Sequence, residues 1–253
     1  MIEVGLASVT LRHKSAADVA AIAAGAGLGV VEWGGDIHVP AGDLTAASQA
    51  RKLCDDNGLA VGTYGSYHKP GESDPGEFAG LVRTAVELGA RRIRVWAGTR
   101  ASADAGPHYR AEVTSALRRC ADLAGQQGIP VTVEYHVESL TDDIDSALAM
   151  YAEAGSAGLV AHWQPRESPI VGQCLAEVRA LLPALASVHA FSWGPDGYTE
   201  RLALGAREDL WRPVFELLSM KDTVEVLLEF VPDDDVDALV RDAGTLRQLA
   251  AVS

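Results

Sequence analysis

Two apolar runs of the chain end on a glutamate. "IPVTVEYH" (129–136) contains Glu134 and "VEVLLEF" (224–230) contains Glu229, while a third run, "SVHAF" (187–191), carries His189. Side chains alternate between the two faces of a strand. If Val131 and Val133 pack outward, Glu134 points inward. Val226, Leu228 and Phe230 outward turn Glu229 inward, and Val188 outward turns His189 inward. Two carboxylates and an imidazole then share one interior. Buried and unpaired, each carboxylate would cost several kcal/mol. One divalent cation removes that cost, and oxygen-plus-imidazole ligation suits Mn²⁺, Mg²⁺, Co²⁺ or Zn²⁺. A lone strand-end glutamate is commonly a salt-bridge partner or helix cap. Three ligand-type residues on three separate runs favour a metal site that also moves protons.

Such convergence needs strands whose ends meet. Eight short runs recur: "EVGLA", "GVVEW", "AVGTY", "RIRVW", "VTVEY", "GLVAH", "SVHAF" and "VEVLLEF". Between and after them lie helix-like stretches near 15–26, 44–57, 74–88, 108–127, 142–154, 171–182, 207–219 and 234–250. Ser15 with Asp18 spells a capping box, and Thr141 opens a stretch with acidic residues in its first turn. "NG", "LG", "QG" and "AG" at 57–58, 88–89, 127–128 and 154–155 supply C-terminal glycines. Strictly alternating strands and helices imply a parallel sheet. The expected fold is α/β, a single (β/α)₈ TIM barrel spanning residues 1–253 as one domain, in keeping with the roughly 250 residues such barrels use. A doubly wound open sheet is the alternative, but "GLASVTLRHKS" lacks the G-x-G-x-x-G turn that fold would want.

In a barrel of this kind, functional side chains gather at the C-terminal ends of the strands. That places His38 after the second run, Tyr64 and His68 after the third, Trp96 at the end of the fourth, His136 beyond the fifth, and His162, Trp163 and Gln164 at the sixth. Arg94 is inward by the same alternation. A buried guanidinium needs a carboxylate, and Glu32 or Glu225 is its expected partner in a structural ion pair.

The net charge of −14 argues against nucleic acid or an anionic membrane as partner. Cys54, Cys120 and Cys174 are scattered through helix-like segments, so they read as small buried hydrophobes rather than disulfides or a zinc knuckle. "MIEVGLASVT" has no basic-then-apolar leader, and the expected location is cytoplasmic.

The stretches "VVEWGGDIHVP", "RVWAG", "EYH…SLTDD", "WQP" and "LLEFV" resemble the xylose-isomerase-like barrel superfamily, in particular a bacterial group described as sugar phosphate isomerases/epimerases. The resemblance runs over essentially the whole chain. It implies a metal-dependent isomerase or epimerase of a small sugar or sugar derivative, with one divalent cation held by Glu, Asp, His and Glu from strands five to eight. Glu134, His189 and Glu229 match three of these positions. The fourth departs: no aspartate ends strand six, and of Gln164 and His162 the "WQP" motif favours Gln164. The resemblance makes Glu134 and Glu229 the acid/base pair as well as ligands, transferring a proton through an enediolate. Tyr64, Trp96, Trp163 and Trp193 would wall the substrate, with His136, His38 and His162 as further contacts. It is also compatible with a homodimer.

Other readings remain. The same site suits a lyase that dehydrates a cyclic polyol ketone. A site lacking its aspartate could equally serve non-catalytic sugar binding. The DNA-repair branch is disfavoured by the −14 charge and by missing His and Asp-x-His ligands. Arg166, Arg100 and Lys69 fall in active-face loops, as phosphate contacts or as solvated charges.

Overall fold

The short β-branched runs and the Ala/Leu-rich stretches between them resolve, in a computed structural model describing residues 1–167 and 169–252, into a ring of strands inside a ring of helices. The barrel strands are β1 (Ile2–Ala7), β2 (Val30–Gly34), β3 (Ala60–Gly65), β4 (Arg92–Trp96), β5 (Val131–Glu134), β6 (Leu159–Trp163), β7 (Leu185–Ala190) and β10 (Val224–Leu228). They close in the order β1-β10-β7-β6-β5-β4-β3-β2, and every pairing is parallel. This is a (β/α)₈ TIM barrel. A hairpin of β8 (Ser192–Gly194) and β9 (Gly197–Leu202) stands apart from it, directly after β7.

The helices are α1 (Ala16–Gly25), α2 (Leu44–Asn57), α3 (Glu77–Leu88), α4 (Pro107–Gly125), α5 (Ile144–Ala154), α6 (Val171–Leu181), α7 (Glu208–Leu218) and α8 (Val236–Ala251). Ser15 and Asp18 form the capping box that their spacing predicts. Thr141 does not cap α5. Asp143 does, accepting from the backbone of Asp145 and Ser146. The Thr141 hydroxyl instead turns into the barrel and donates to the Glu134 carbonyl at 2.6 Å, tying the loop to the end of β5. Gly58 ends α2 at φ 68°, in the left-handed region where a side chain would be strained.

The layer between strands and helices is apolar. Trp33, Trp163, Trp211, Phe215 and Ile93 are fully buried there, and the free cysteines Cys54, Cys120 and Cys174 are buried with them. The buried polar set is different in kind: Glu32, Thr63, Arg94, Thr132, His162, Ser187, His189 and Glu225 all come from barrel strands. Desolvating so many polar groups is unfavourable unless they pair. Glu225 pairs with Arg92 (2.6 Å) and Arg91 (3.3 Å) rather than with Arg94. No helix among the described residues is long and apolar enough to cross a membrane.

Candidate active site

Strand register brings the site together. Glu134 of β5 lies opposite Trp96 of β4 on one side and His162 of β6 on the other. His189 of β7 lies opposite Leu227 of β10. The backbone N–H of Glu229 bonds the Ala190 carbonyl at 3.0 Å, which carries the β10 ladder one residue past its last strand position. Glu229 is thereby fixed at the open end of the barrel.

His189 is the centre. Its Nδ1 is 3.2 Å from Glu229 Oε2, 3.3 Å from Gln164 Oε1 and 3.8 Å from Glu134 Oε1. Its Nε2 is 3.2 Å from Glu32 Oε1. Burial alone would lower the imidazole pKa, but the carboxylates of Glu229 and Glu32 outweigh it and hold the group up at about 10. The Glu32 carboxyl is likewise below its ordinary range despite full burial, because Arg94 and His189 both favour its charged form. Arg94 completes the frame. Its Nη1 bonds Glu134 Oε2, and its Nη2 is 3.1 Å from Glu32 Oε1. The Trp96 indole N–H donates to the same Glu134 oxygen.

The donor set fits a divalent cation on the Nδ1 side. Three side-chain oxygens face one ring nitrogen, and Glu229 Oε2 is buried with no hydrogen bond, its approach to Nδ1 lying outside hydrogen-bond geometry. Glu134 keeps Oε1 directed inward because Oε2 is occupied. Among the described residues, the grouping of His and acidic side chains whose ligand atoms all lie within 4.8 Å of one another is a different one, Glu32, His162 and His189. Arg94 sets its positive charge against one carboxylate of each grouping, Glu32 in this one and Glu134 in the other, but only the Nδ1 side opens toward residues that line a cavity.

Above His189 opens a cavity of about 360 Å³. Glu134, Gln164, Glu229, Trp96, His136 and Trp193 line it, and His136 stacks on Trp96 with ring centroids 4.2 Å apart. Four residues expected to touch substrate lie elsewhere. His38 is tied to Ser8 Oγ (3.0 Å) and the Lys14 carbonyl (3.2 Å), beside β1. The Tyr64 hydroxyl is buried and donates to the Val39 carbonyl at 2.9 Å. His162 is fully buried edge-on to His189, with Nδ1 2.7 Å from Ser187 Oγ, and burial drives its pKa well down. Trp163 points to the helix layer, against Trp211, and donates to Glu177 at 3.1 Å.

Several cavity residues escaped the sequence reading: Tyr67, Tyr135, Arg201 and Phe230; Arg166, placed there in an active-face loop, does line the cavity. Phe230, expected outward by alternation, lines the cavity. β10 has ended at Leu228, and Phe230 adopts a left-handed φ of 54°, so strand alternation no longer applies. Arg201 and Trp193 come from the β8–β9 hairpin, whose turn segment "GPDG" was a readable signal.

A sequence search of curated proteins finds no match. Among solved structures, the probable 3-DHS dehydratase AsbF from Bacillus anthracis superposes with a TM-score of 0.84 at 18% identity, covering 98% of this chain and 99% of that one. The D-allulose 3-epimerase from Methylomonas sp. gives 0.73 at 16% identity, covering 98% of each chain. A xylose isomerase-like barrel protein from Mycobacterium smegmatis, in complex with magnesium, gives 0.68 at 15% identity over 95% and 91%. At these identities the likeness is one of fold. The family model described as xylose isomerase-like TIM barrel matches residues 20–165, more than half of the sequence. The chain belongs to the xylose isomerase-like TIM barrel family.

Proposed function

We propose that the protein is a metal-dependent isomerase or epimerase of a small sugar or sugar derivative. The observation that carries this reading is the convergence of Glu134, Gln164 and Glu229 oxygens on Nδ1 of His189 at the floor of a cavity. Glu134, Gln164, His189 and Glu229 would hold the cation. When bound, it supplies Lewis-acid polarisation of a substrate carbonyl. The side chains do the rest. Glu229 Oε2, which accepts no hydrogen bond, takes the proton from the carbon beside the carbonyl. The C–H electron pair moves into the carbonyl, giving an enediolate; a proton returned to the neighbouring carbon gives the isomer, and one delivered by Glu134 to the opposite face of the same carbon gives the epimer. Positioned acid–base transfer of this kind contributes ~10²–10⁴-fold. Trp96, Trp193 and Phe230 exclude water around the reacting carbon.

One feature favours a second reading. Glu134 Oε2 is already engaged by Arg94 and Trp96, while Glu229 Oε2 is not. Such inequality suits a single base, and a single base also serves a lyase that expels water from the enolate. The magnesium complex and the allulose epimerase among the fold relatives support metal-dependent sugar chemistry, and the AsbF relative supports dehydration.

The test is solvent exchange. Mn²⁺-saturated protein is incubated with D-fructose, D-allulose and their 6-phosphate and carboxylate derivatives in D₂O and followed by NMR. Deuterium entering the carbon beside the carbonyl, and absent with Glu229→Gln, is the expected result. Metal-loaded protein that labels none of them defeats the isomerase reading. A product lighter by one water assigns the lyase instead.

A further inference from the structure

Four aromatic rings that line the cavity each carry a cation on one face. Lys69 Nζ is 4.7 Å from the Trp96 ring centre, Arg94 6.0 Å from Tyr67, Arg166 5.7 Å from Tyr135 and Arg201 4.9 Å from Phe230. Only one further such pair occurs among the described residues, Arg100 on Tyr109, and neither residue lines this cavity. A ring face holds a guanidinium flat and limits its freedom. The concentration is unexpected in a chain of net charge −14, whose general field repels anions.

The four cations are not all consumed by acids. Arg94 is, by Glu32 and Glu134. Lys69 forms no ion pair among the described residues. Arg166 gives Nη2 to the Tyr135 hydroxyl at 2.9 Å and Nε, at 3.6 Å, to Glu177, leaving Nη1. Arg201 gives Nη1 to Asp234, leaving Nε and Nη2. Arg166 and Arg201 are partly exposed, 43% and 29%, whereas Glu134 and Glu229 are buried against the fully buried His189, so the arginines stand toward the mouth and the two carboxylates toward the floor. The acids lining the cavity are Glu134, Asp142, Glu167 and Glu229. Of these cations Arg94, Arg166 and Arg201 line the cavity themselves, so three positive side chains face four negative ones, and a divalent cation beside His189 turns that small negative balance positive.

We infer that the substrate is an anionic sugar derivative whose terminal oxyanion group is held by Arg166 and Arg201 at the cavity mouth while its polyol end reaches His189. The inference rests on the function proposed above for the floor of the same cavity. Paired N–H donors on a rigid fork match a carboxylate or a phosphate better than a hydroxyl. A volume of about 360 Å³ accommodates a chain of about six carbons with such a group.

The experiment is calorimetric titration of the full chain, with and without Mn²⁺, by three six-carbon probes: D-glucitol, D-gluconate and D-glucitol 6-phosphate. The anions should bind at least ~tenfold more tightly than glucitol, the scale of a charge-assisted hydrogen bond or two. The preference should persist without Mn²⁺, fall in Arg166→Gln and Arg201→Gln, remain in part in the corresponding lysine variants, and survive intact in Arg100→Gln. The tighter anion identifies the group as carboxylate or phosphate. Equal binding of all three probes, no binding of any, or a preference unchanged in both glutamine variants overturns the inference. Failure of Mn²⁺ to strengthen binding of any polyol, with the anion preference intact, counts against the metal reading alone.

Discussion

Nε2 of His189 lies 3.2 Å from Oε1 of Glu32, on the side of the ring opposite Glu229. In the tautomer that donates from Nε2 to Glu32, the Nδ1 lone pair faces Glu134, Gln164 and Glu229, the arrangement a bound cation requires. Carboxylates behind a ligating histidine typically change metal affinity by ~10–100-fold. Glu32→Gln is therefore expected to weaken Mn²⁺ binding by about that factor. The protein should stay folded, because the amide still reaches His189. Calorimetric titration with Mn²⁺ checks it, and an unchanged affinity would remove Glu32 from the site.

Arg94 bridges two buried carboxylates on different strands. Removing one partner of a buried ion pair costs about 3–5 kcal/mol, since the other charge is left uncompensated. Arg94→Met should lower the unfolding free energy of metal-free protein by about that amount in urea titrations. Added Mn²⁺ should recover part of the loss by neutralising Glu134. Arg94→Lys should recover little, as one ammonium lacks the fork that spans both acceptors.

Gln164→Asp tests the missing ligand charge. A third carboxylate near Nδ1 should tighten Mn²⁺ binding by about tenfold or more, ~1.4 kcal/mol. Without metal the same carboxylate faces Glu134 and Glu229 and should lower the melting temperature. Opposite signs in the two states are the expected signature. Destabilisation in both would mean that residue 164 lies outside the coordination sphere.

Proton and metal compete for Nδ1 of His189. Its pKa is raised to about 10 in the folded, metal-free protein, against about 6.5 for an unperturbed histidine. A raised value means that the folded state holds the proton more tightly. The stabilisation is fully present below about pH 6.5 and is lost as pH rises through about 10. Metal-free wild type should thus lose its advantage over His189→Asn across that window, while Mn²⁺ affinity increases. Urea titrations of both proteins at several pH values supply the difference, and a flat difference would contradict the shift.

Strand alternation was enough to aim Glu134, His189 and Glu229 inward, because each sits within or one residue beyond a regular ladder. It failed at Phe230, where the ladder had stopped and the backbone turned left-handed. It also found Arg94 but not its second partner. Glu32 and Glu134 lie on strands either side of β4 without being adjacent in sequence, and only the closed barrel shows that one guanidinium reaches both. Composition gave no warning that Tyr64 and Trp163 would be consumed by the helix layer, since an aromatic residue at a strand end suits either face.

The β8–β9 hairpin makes no strand pairing with the barrel, yet it supplies Trp193 and Arg201 to the cavity. Its base is moored by Ser192, whose hydroxyl donates to the Leu204 carbonyl at 3.0 Å and accepts from the Trp211 indole at 3.2 Å, while Arg201 reaches Asp234. Trp193 and Arg201 are thus carried on a segment separate from the strands that hold Glu134 and His189. Natural variation in residues 195–200 can accumulate without disturbing His189 or its carboxylates. Related barrels can then diverge in diet while keeping one chemistry, and grafting a hairpin of different charge is a direct route to redirecting this one.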